Sequence, residues 1–459
     1  MMSPSKRGRG HRIRILSIGF GAVLSCWSCT KTAAPSLRIL AFRDRQSTAL
    51  RESLPDFEKA YGISVQMDDI PAESMATKMM TDLAAGGTYD VYAMDEPFVP
   101  QFASSLLPVK EWPQGEGKWD AKNFEDASLE AASVDGVLMG LPVNGNVYQY
   151  IYRKDLFESP LEKENFLKQY GRVLSPAKTF PEILELARFF HRPPKLYGFA
   201  PFTKMSEGTT VELLWLFSGF GIAPGSGGPA RNTIEEALNF YGSLLKTAPK
   251  SAKSWHHTER MTAYAKGKIA QMVTWNSFFF DLEDEDKSLV AGKTGYAPSP
   301  GTSKTSIAGS WIAGVRRSSP EARHAAEFVR WWTSKALGEK LIPLGLSSPR
   351  RDLLTEPTLA QKFPWLEATH LNFEAAFLRP RHTDYRSISS DLSKVFTRWI
   401  AGQEETANAT DQLVTAYARL ERIAAPVPSG TLNLKDERSK VSPDVSGMTG
   451  DAPPQNKVK

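Results

Sequence analysis

Apolar residues in the first part of the chain follow two different spacings. The runs LRILAF (37–42) and ISVQM (63–67) are short and continuous, so they predict buried strands. Between them, Leu50, Leu54 and Phe57 recur every three or four residues, which predicts a helix that ends at the glycine before the second strand. The chain therefore begins as strand, helix, strand.

The alternation continues beyond the second strand. Met75, Met79 and Leu83 have helical spacing, and the glycines of AGGTYDVYAM end that helix before a third apolar strand. A βαβαβ order implies a parallel sheet with helices on its faces. The fold class predicted by this pattern is α/β.

Two later segments predict the starts of helices. KTFPEILELARFF has Thr179 as N-cap, Pro181 in the first turn and Glu182 three residues after the cap, which together form a capping box before an apolar run. In SSPEARHAAEFVRWWTS, Ser319 and Pro320 are predicted to start a helix in the same way. Each helix alone indicates only that one of its faces packs against another element.

The N-terminal residues have the pattern of an export signal. Five basic residues and no acidic residue occur in the first 14 positions, and ten apolar or small residues follow at 15–24. A helix that spans a bilayer needs about 20 apolar residues, so this run is too short for one. We therefore expect residues 1–25 to be a secretory signal peptide.

The chain has two cysteines, both in LSCWSC (24–29). The residues Val23, Leu24 and Ser25 before Cys26 resemble the lipobox of bacterial lipoproteins, which implies that Cys26 is lipidated and anchors the chain to a membrane. Cleavage with release of the chain is the alternative. Zinc binding by cysteines would need a second pair, and a redox pair belongs inside a fold, so neither a thiol site nor a metal site is expected.

The charge pattern disfavours nucleic acid as a partner. The chain has 56 basic and 51 acidic residues, and the five basic residues of the leader account for the net charge of +5. The rest of the chain is formally neutral and has no basic surplus for a phosphate backbone. At the other end, residues 426–459 are rich in proline, serine, glycine and lysine, and they are predicted to be disordered.

Several motifs occur in an order that resembles a known family. They are TYDVYAMDEPFVPQFASSLLPV, DGVLMGLPVNGNVYQYIYRKDLF, KTFPEILELA, YAKGKIAQMVTWNSFF, GYAPSPG, GSWIAGVRRSSPEARHAAEFVRWWTS and PLGLSSPRRDLL. This ordered set, over about residues 37–425, is similar to the family 1 extracellular solute-binding proteins of bacterial sugar importers. The resemblance implies a periplasmic or cell-surface receptor that captures a sugar or oligosaccharide and delivers it to the permease subunits of an ABC importer. No cofactor is expected.

The same resemblance implies a two-lobed α/β fold of the periplasmic-binding-protein type, with a ligand cleft between the lobes. One lobe would take residues 36–146 and 299–343, and the other would take residues 147–298 and 344–425. Sheets of this kind bind their ligands at the carboxyl ends of the strands. The ligand site is therefore expected where the strand ends of the two lobes meet.

A sugar presents paired hydroxyls and an apolar face, so cleft candidates are polar and aromatic side chains near strand ends. The resemblance implies ligand contacts at Asp44, Arg45, Asp95, Glu96, Asn146, Trp275, Trp311, Arg350 and Tyr385. For Asp95 and Glu96 the alternative is to cap the following helix, and for Arg350 and Tyr385 it is a core or surface role. Trp332 has packing spacing on a helix and is expected to lie in the core or on the helix surface.

Three of these candidates bear on the type of ligand. Trp275 in MVTWNSFF and Trp311 in GSWIAG are expected to stack on sugar rings. Asn146 stands at a position where relatives carry an acidic ligand contact, and its amide adds a hydrogen-bond donor. This difference leaves the identity of the sugar open.

Catalysis is not expected. The sequence has no H-E-x-x-H or G-x-S-x-G motif, and GSGG (225–228) lacks the Lys-Ser/Thr of a phosphate-binding loop. A glycosidase needs two carboxyl groups about 5–9.5 Å apart, whereas the adjacent Asp95 and Glu96 would point to different sides of an extended chain. The alternatives that stay open are a receptor for a polyol or an organophosphate and, in another class, a secreted carbohydrate-active enzyme.

Overall fold

The structure, a computed structural model, describes residues 35–117, 119–224, 228–301 and 305–423, with the backbone alone at 421–423. The signal peptide at 1–25, the lipidation of Cys26 and the disordered tail at 426–459 are predictions that lie outside these residues, as does most of GSGG. In the described part, no helix is long and apolar enough to cross a membrane.

Strands and helices are interspersed along the described residues. The strands are β1 (Ser36–Phe42), β2 (Ser64–Ile70), β3 (Val91–Asp95), β4 (Ser133–Val134), β5 (Val137–Leu138), β6 (Leu141–Asn144), β7 (Tyr148–Arg153), β8 (Tyr197–Phe199), β9 (Ile269–Trp275), β10 (Thr294–Ala297), β11 (Ser306–Ala308), β12 (Trp311–Val315) and β13 (Ala376–Leu378). The helices are α1 (Arg45–Tyr61), α2 (Ala72–Ala84), α3 (Val99–Phe102), α4 (Asp126–Ala131), α5 (Lys154–Glu158), α6 (Pro160–Tyr170), α7 (Phe180–Phe189), α8 (Glu207–Ser218), α9 (Arg231–Leu245), α10 (His257–Ala265), α11 (Phe279–Leu282), α12 (Ala322–Trp332), α13 (Lys335–Leu341), α14 (Arg351–Leu354), α15 (Pro357–Lys362), α16 (Trp365–Glu374), α17 (Tyr385–Ile400) and α18 (Thr406–Ile423).

Five strands form the sheet of the first lobe, in the order β2-β1-β3-β12-β6. Strand β1 pairs in parallel with β2 and β3, and β12 runs antiparallel to β3 and to β6. Strands β1, β3 and β12 are buried along most of their length, as their continuous apolar runs predict. The predicted βαβαβ order is confirmed for β1, α1, β2, α2 and β3.

Helix α1 shows how the local sequence defines an element of this sheet. Its N-terminus is a capping box, in which the Asp44 carboxylate accepts from the Ser47 N–H at 2.8 Å and the Ser47 hydroxyl accepts from the Asp44 N–H at 3.0 Å. Its C-terminus is Gly62, with a φ of 68° that a residue with a Cβ rarely adopts. The predicted face containing Leu50 and Phe57 is buried.

Four strands form the sheet of the second lobe, in the order β10-β7-β9-β8. Strand β7 runs antiparallel to β10 and β9, and β8 runs parallel to β9. Helix α8 packs against α9 and α17, and every residue from Thr209 to Ser218 on it is buried. These helices share one apolar core with β7 and β9.

The chain passes between the lobes more than once. The first crossing is 145–147, between β6 and β7, and the second joins β10 to β12 by way of β11. At the second crossing, β11 pairs in parallel with β13, which forms a two-stranded sheet between the larger ones. The strands of each large sheet fall within the ranges predicted for one lobe, and the exact lobe boundaries stay a prediction.

The two predicted helix starts have different outcomes. At α7, the Glu182 N–H approaches the Thr179 hydroxyl at 3.4 Å and the Glu182 carboxylate accepts from the Thr179 N–H at 3.2 Å, so this capping box is confirmed. The prediction at Ser319 is wrong, because α12 begins at Ala322. The Ser319 hydroxyl donates to Asp90 at 2.7 Å and accepts from a backbone N–H, which commits it to a turn before the helix.

Candidate functional site

The ends of four strands meet at one edge of the first sheet. Strands β1, β3 and β6 end there, at Phe42, Asp95 and Asn144, and β12 begins there at Trp311. Trp311 is in register with Asp95 on one side and with Asn144 on the other. An aromatic ring is thus flanked by a carboxylate and an amide at the edge where α/β sheets bind ligands.

The second sheet presents its own edge next to this one. Strand β9 ends at Trp275, in register with Tyr148 at the start of β7. The Trp275 ring lies against the backbone of Gly309, where an added Cβ would be only 2.6 Å from a ring atom. The Gly309 N–H donates to the Asn146 carbonyl at 2.8 Å, so the two crossing segments hold the edges together.

Aromatic rings line both edges. The Phe42 and Trp311 rings are stacked, with centroids 3.8 Å apart and an interplanar angle of 26°. The Trp275 ring meets the Tyr148 ring edge-on at 5.2 Å, and the Arg379 guanidinium lies 6.0 Å from its centroid. Trp311 is buried, whereas Trp275 is only half-buried.

Three amide side chains that follow or end strands β1 and β6 have unused hydrogen-bonding atoms. Asn144 is 1% exposed, and neither its amide nitrogen nor its oxygen has a partner within the described chain. The same holds for both amide atoms of the buried Gln46, in the first turn of α1, and for the Oδ1 of Asn146. A buried polar group without a partner costs about 1–3 kcal/mol, so these groups indicate a hydrogen-bonding species from outside the chain.

A set of charged side chains joins the two lobes at the end of β3. We call Asp95, Glu96, Glu207, Arg379, Arg381 and Tyr385 the interlobe network. The Arg379 guanidinium donates to Glu96 at 3.0 Å, to both oxygens of Asp95, and to Glu207 at 3.1 Å. Arg379 is 2% exposed and Glu96 is fully buried, so this ion pair is shielded from water, whereas Asp95 and Glu207 are partly exposed.

Burial changes the acidity of two carboxyl groups near the site. Desolvation raises the pKa of Glu96 to about 7, with the Asp95 charge adding to the effect and Arg379 and Arg381 opposing it. Desolvation also raises the pKa of Asp44 to about 6, against the hydrogen bonds from the backbone of Ser47 and Gln46.

Most of the predicted site residues lie at or beside the two edges. They are Asp95, Glu96, Asn146, Trp275, Trp311 and Tyr385. The alternative role of Asp95 is also present, because its carboxylate accepts from the Glu96 N–H at 3.0 Å at the start of a short 3-10 helix. Whether these residues contact a ligand stays a prediction.

The other three predicted residues have mainly structural contacts. Asp44 caps α1, and Arg45 pairs with Asp281 of the second lobe with its guanidinium 4.7 Å from the Phe280 ring. Arg350 donates to Asp352 and, at 2.9 Å, to the Thr333 carbonyl. All three nitrogen atoms of its guanidinium are therefore occupied within the chain.

Sequence reasoning missed four residues of this region, Gln46, Asn144, Glu207 and Arg379. A usable signal existed for Asn144, since it ends the apolar run LPVN two residues before the predicted Asn146. For Arg379 the signal was weaker, an arginine after the short apolar run AFL. Among the described residues, no group of three or more His, Cys, Asp or Glu side chains could hold a metal ion.

Two α/β lobes with polar and aromatic groups on adjoining sheet edges define a two-lobed binding protein of the periplasmic type. The family model described as bacterial extracellular solute-binding protein matches residues 44–339, and the chain belongs to this family. Membership in an extracellular family agrees with the export predicted from the leader, and implies a periplasmic or cell-surface location.

Three similar proteins illustrate the range of the family. A probable amino-acid ABC transporter periplasmic-binding protein of Sinorhizobium fredii is 24% identical over 72% of this chain and 75% of its own length. The mannitol-binding protein of Pseudomonas aeruginosa is 27% identical over 64% of this chain and 66% of its own. A maltose-bound protein of T. maritima has the same fold, with a TM-score of 0.72, 22% identity, and coverage of 84% of this chain and 100% of that one.

Proposed function

We propose that this protein captures a sugar or a polyol between its lobes and delivers it to the permease of an ABC importer. The observation that carries the proposal is the set of buried amide atoms without partners at Gln46, Asn144 and Asn146, of which Asn144 is in register with Trp311. An amide offers a donor and an acceptor, and a sugar or polyol hydroxyl needs both. The Trp275 and Trp311 rings can cover the C–H surface of the same ligand.

The charge pattern of the site favours an uncharged ligand. The donors of Arg379 are engaged with carboxylates, and Arg45 pairs with Asp281. Arg381 has two guanidinium nitrogens without a hydrogen-bond partner in the described residues, but it faces the buried Glu96 at 3.9 Å. An organophosphate or an amino acid would need cationic donors whose charge is not already matched by a carboxylate of the protein. The mannitol-binding relative and the maltose-bound structure support a polyhydroxy ligand, and the amino-acid relative defines the competing class to test.

Two further points belong to this proposal. The chain acts as a receptor without catalysis, and residues 1–25 are removed with Cys26 lipidated as the membrane anchor. The intact mass of protein extracted from membranes tests the anchor, because a chain that starts elsewhere without a lipid would contradict it.

A ligand panel tests the function. Thermal shift with mannitol, ribitol, glucose, maltose, glycerol 3-phosphate and amino acids is expected to raise the melting temperature only with uncharged polyhydroxy compounds, since a ligand that binds the folded state stabilises it. A rise in melting temperature with amino acids only, or with glycerol 3-phosphate only, would contradict the proposal.

A pair of amide variants tests the site itself. Asn144→Ala removes no hydrogen bond within the described chain, so it should keep the stability of the free protein and lower ligand affinity about tenfold. Gln271→Ala is the matched contrast, because this buried amide accepts from the Tyr150 hydroxyl and donates to the Ile183 carbonyl at 2.8 Å. It should lower the free energy of unfolding by about 1–3 kcal/mol and leave the affinity of the folded fraction unchanged.

A further inference from the structure

The interlobe network has one residue that all its carboxylates share. Arg379 follows β13 and binds Asp95 and Glu96, which belong to the strand end of the first lobe. The same guanidinium binds Glu207, the first residue of α8 in the second lobe. Every partner is a protein group, so forming this set of contacts requires nothing from outside the chain.

The Glu207 carboxylate is fixed within its own lobe. It accepts hydrogen bonds from the hydroxyls of Tyr385 and Ser389, both on α17, which packs against α8. The Tyr385 ring also lies against Phe98 of the first lobe, with centroids 6.2 Å apart. The second lobe thus presents a preformed anchor to Arg379.

The charges of the network are not balanced. Three carboxylates face two guanidiniums, and Arg381 Nε is 3.9 Å from the buried Glu96 Oε2, too far for a hydrogen bond. Neither that Nε nor that Oε2 has another hydrogen-bond partner in the described residues. Arg379 is therefore the group that neutralises most of the negative charge, and its loss would leave the buried Glu96 without a hydrogen-bonded cation.

We propose that Arg379 is a positioning residue, anchored in the second lobe by Glu207, that holds the two lobes together through Asp95 and Glu96 and orients these carboxylates beside the ligand site. The effect on ligand affinity rests on the proposed function, whereas the effect on the lobes does not. A charge-assisted hydrogen bond across the lobes stabilises their closed arrangement. Less of the binding free energy of the ligand is then needed to close the lobes. Affinity then depends on Glu207, which need not touch the ligand.

The variant that isolates this contact is Glu207→Gln. It removes the ionic anchor in the second lobe while Arg379 keeps Asp95 and Glu96, so no buried carboxylate is left unpaired. Its matched control is Glu185→Gln, whose side chain is also 31% exposed and pairs with Arg172 outside the interlobe network. Arg379→Met removes the charge and all the donors but can prevent folding. Arg379→Lys keeps the charge and loses the planar set of guanidinium donors.

The first measurement needs no ligand. Small-angle scattering of the free protein is expected to give a larger radius of gyration for Glu207→Gln than for the wild type and for Glu185→Gln. Equal radii for Glu207→Gln and its control would overturn the proposal. This measurement tests the contact between the lobes independently of the proposed function. If no compound of the panel shifts the melting temperature of the wild type, the proposed function is contradicted, but the scattering result is unaffected.

The second measurement uses the panel compound with the largest thermal shift. Calorimetric titration should show an affinity loss of about tenfold for Glu207→Gln, no loss for Glu185→Gln, and for Arg379→Lys a loss no larger than that of Glu207→Gln. A radius that changes while affinity stays equal to the control would contradict the positioning role and leave Arg379 with a structural role alone.

Discussion

Asp95 and Glu96 are neighbours in sequence, yet their side chains lie in different surroundings. The Asp95 carboxylate is partly exposed and has Arg379 on both of its oxygens, whereas Glu96 is fully buried and has one oxygen without a partner. The sequence predicted both as cleft residues, but it could not show that one guanidinium, 283 positions away from Glu96, contacts both carboxylates. Their different burial has a consequence for stability.

The high pKa of Glu96 predicts a pH dependence of folding. In the folded chain its pKa is about 7, against an ordinary 4.5. The folded state holds a proton that the unfolded state has lost, so this contribution is fully present below about pH 4.5 and disappears as the pH rises through about 7. Glu96→Gln cannot ionise and is expected to remove this decline, which amounts to about 3 kcal/mol.

Urea unfolding at several pH values between 4 and 8 gives the free energy of unfolding as a function of pH. The effect is the difference between the slopes of this function for the wild type and for Glu96→Gln. Glu185→Gln serves as the control and should keep the slope of the wild type, since the Glu185 side chain is more exposed. If the free energy of unfolding of Glu96→Gln has the same pH dependence as that of the wild type over the whole range, Glu96 is ionised in the folded protein at neutral pH and its pKa is not raised.

At the scale of elements, the spacing of apolar residues predicted the features that depend on residues close together in sequence. The first three strands, the two helices between them and the capping box at Thr179 depend on short-range spacing, and they are confirmed. Ser319 failed as a cap because its hydroxyl is used by Asp90, a residue 229 positions away. Likewise, no local pattern indicates that Trp311 stacks on Phe42.

Tryptophans on different elements should therefore respond differently to truncation. Trp275→Ala removes a half-buried ring at the end of β9 and is expected to weaken ligand binding by about 2 kcal/mol or more, roughly thirtyfold in Kd, with a smaller loss of stability. Trp332→Ala removes a ring that is 9% exposed on the packed face of α12, and should cost about 3–5 kcal/mol of folding stability.

Calorimetric titration together with melting of the free protein separates these outcomes. The affinity of folded Trp332→Ala should match the wild type. Trp311→Ala should lose both stability and affinity, because its ring packs on Phe42 at the site. Normal binding by Trp275→Ala would mean that the ligand contacts other surfaces.

At the scale of the whole molecule, the contacts between the lobes are of two kinds, buried and exposed. The buried contacts are those of Arg379, and the exposed ones include Arg45 with Asp281 and Arg386 with Thr77. Exposed ion pairs contribute little in salt, so the buried contacts dominate the closed arrangement. The two-lobed class could be predicted from motif order, but these contacts could not, because they join distant segments.

Ligand binding is expected to reduce the size of the molecule. A ligand that contacts both sheet edges favours the closed arrangement, so the radius of gyration in solution scattering should fall when the best compound of the panel saturates the wild type. A panel compound that causes no thermal shift, at equal concentration, is the control. An unchanged radius at saturation would exclude closure on binding.

Asn146 lies in the segment 145–147, where the chain crosses from one lobe to the other. In any rotation of two rigid bodies, points near the axis travel least and points far from it travel most. For a rotation of the lobes about the crossing segments, the Asn146 amide would move little, while Trp275 and Asp95 would be carried with their sheets. The ligand contact proposed for Asn146 would then be available before the lobes close, and its loss would affect the rate of capture more than the final residence time.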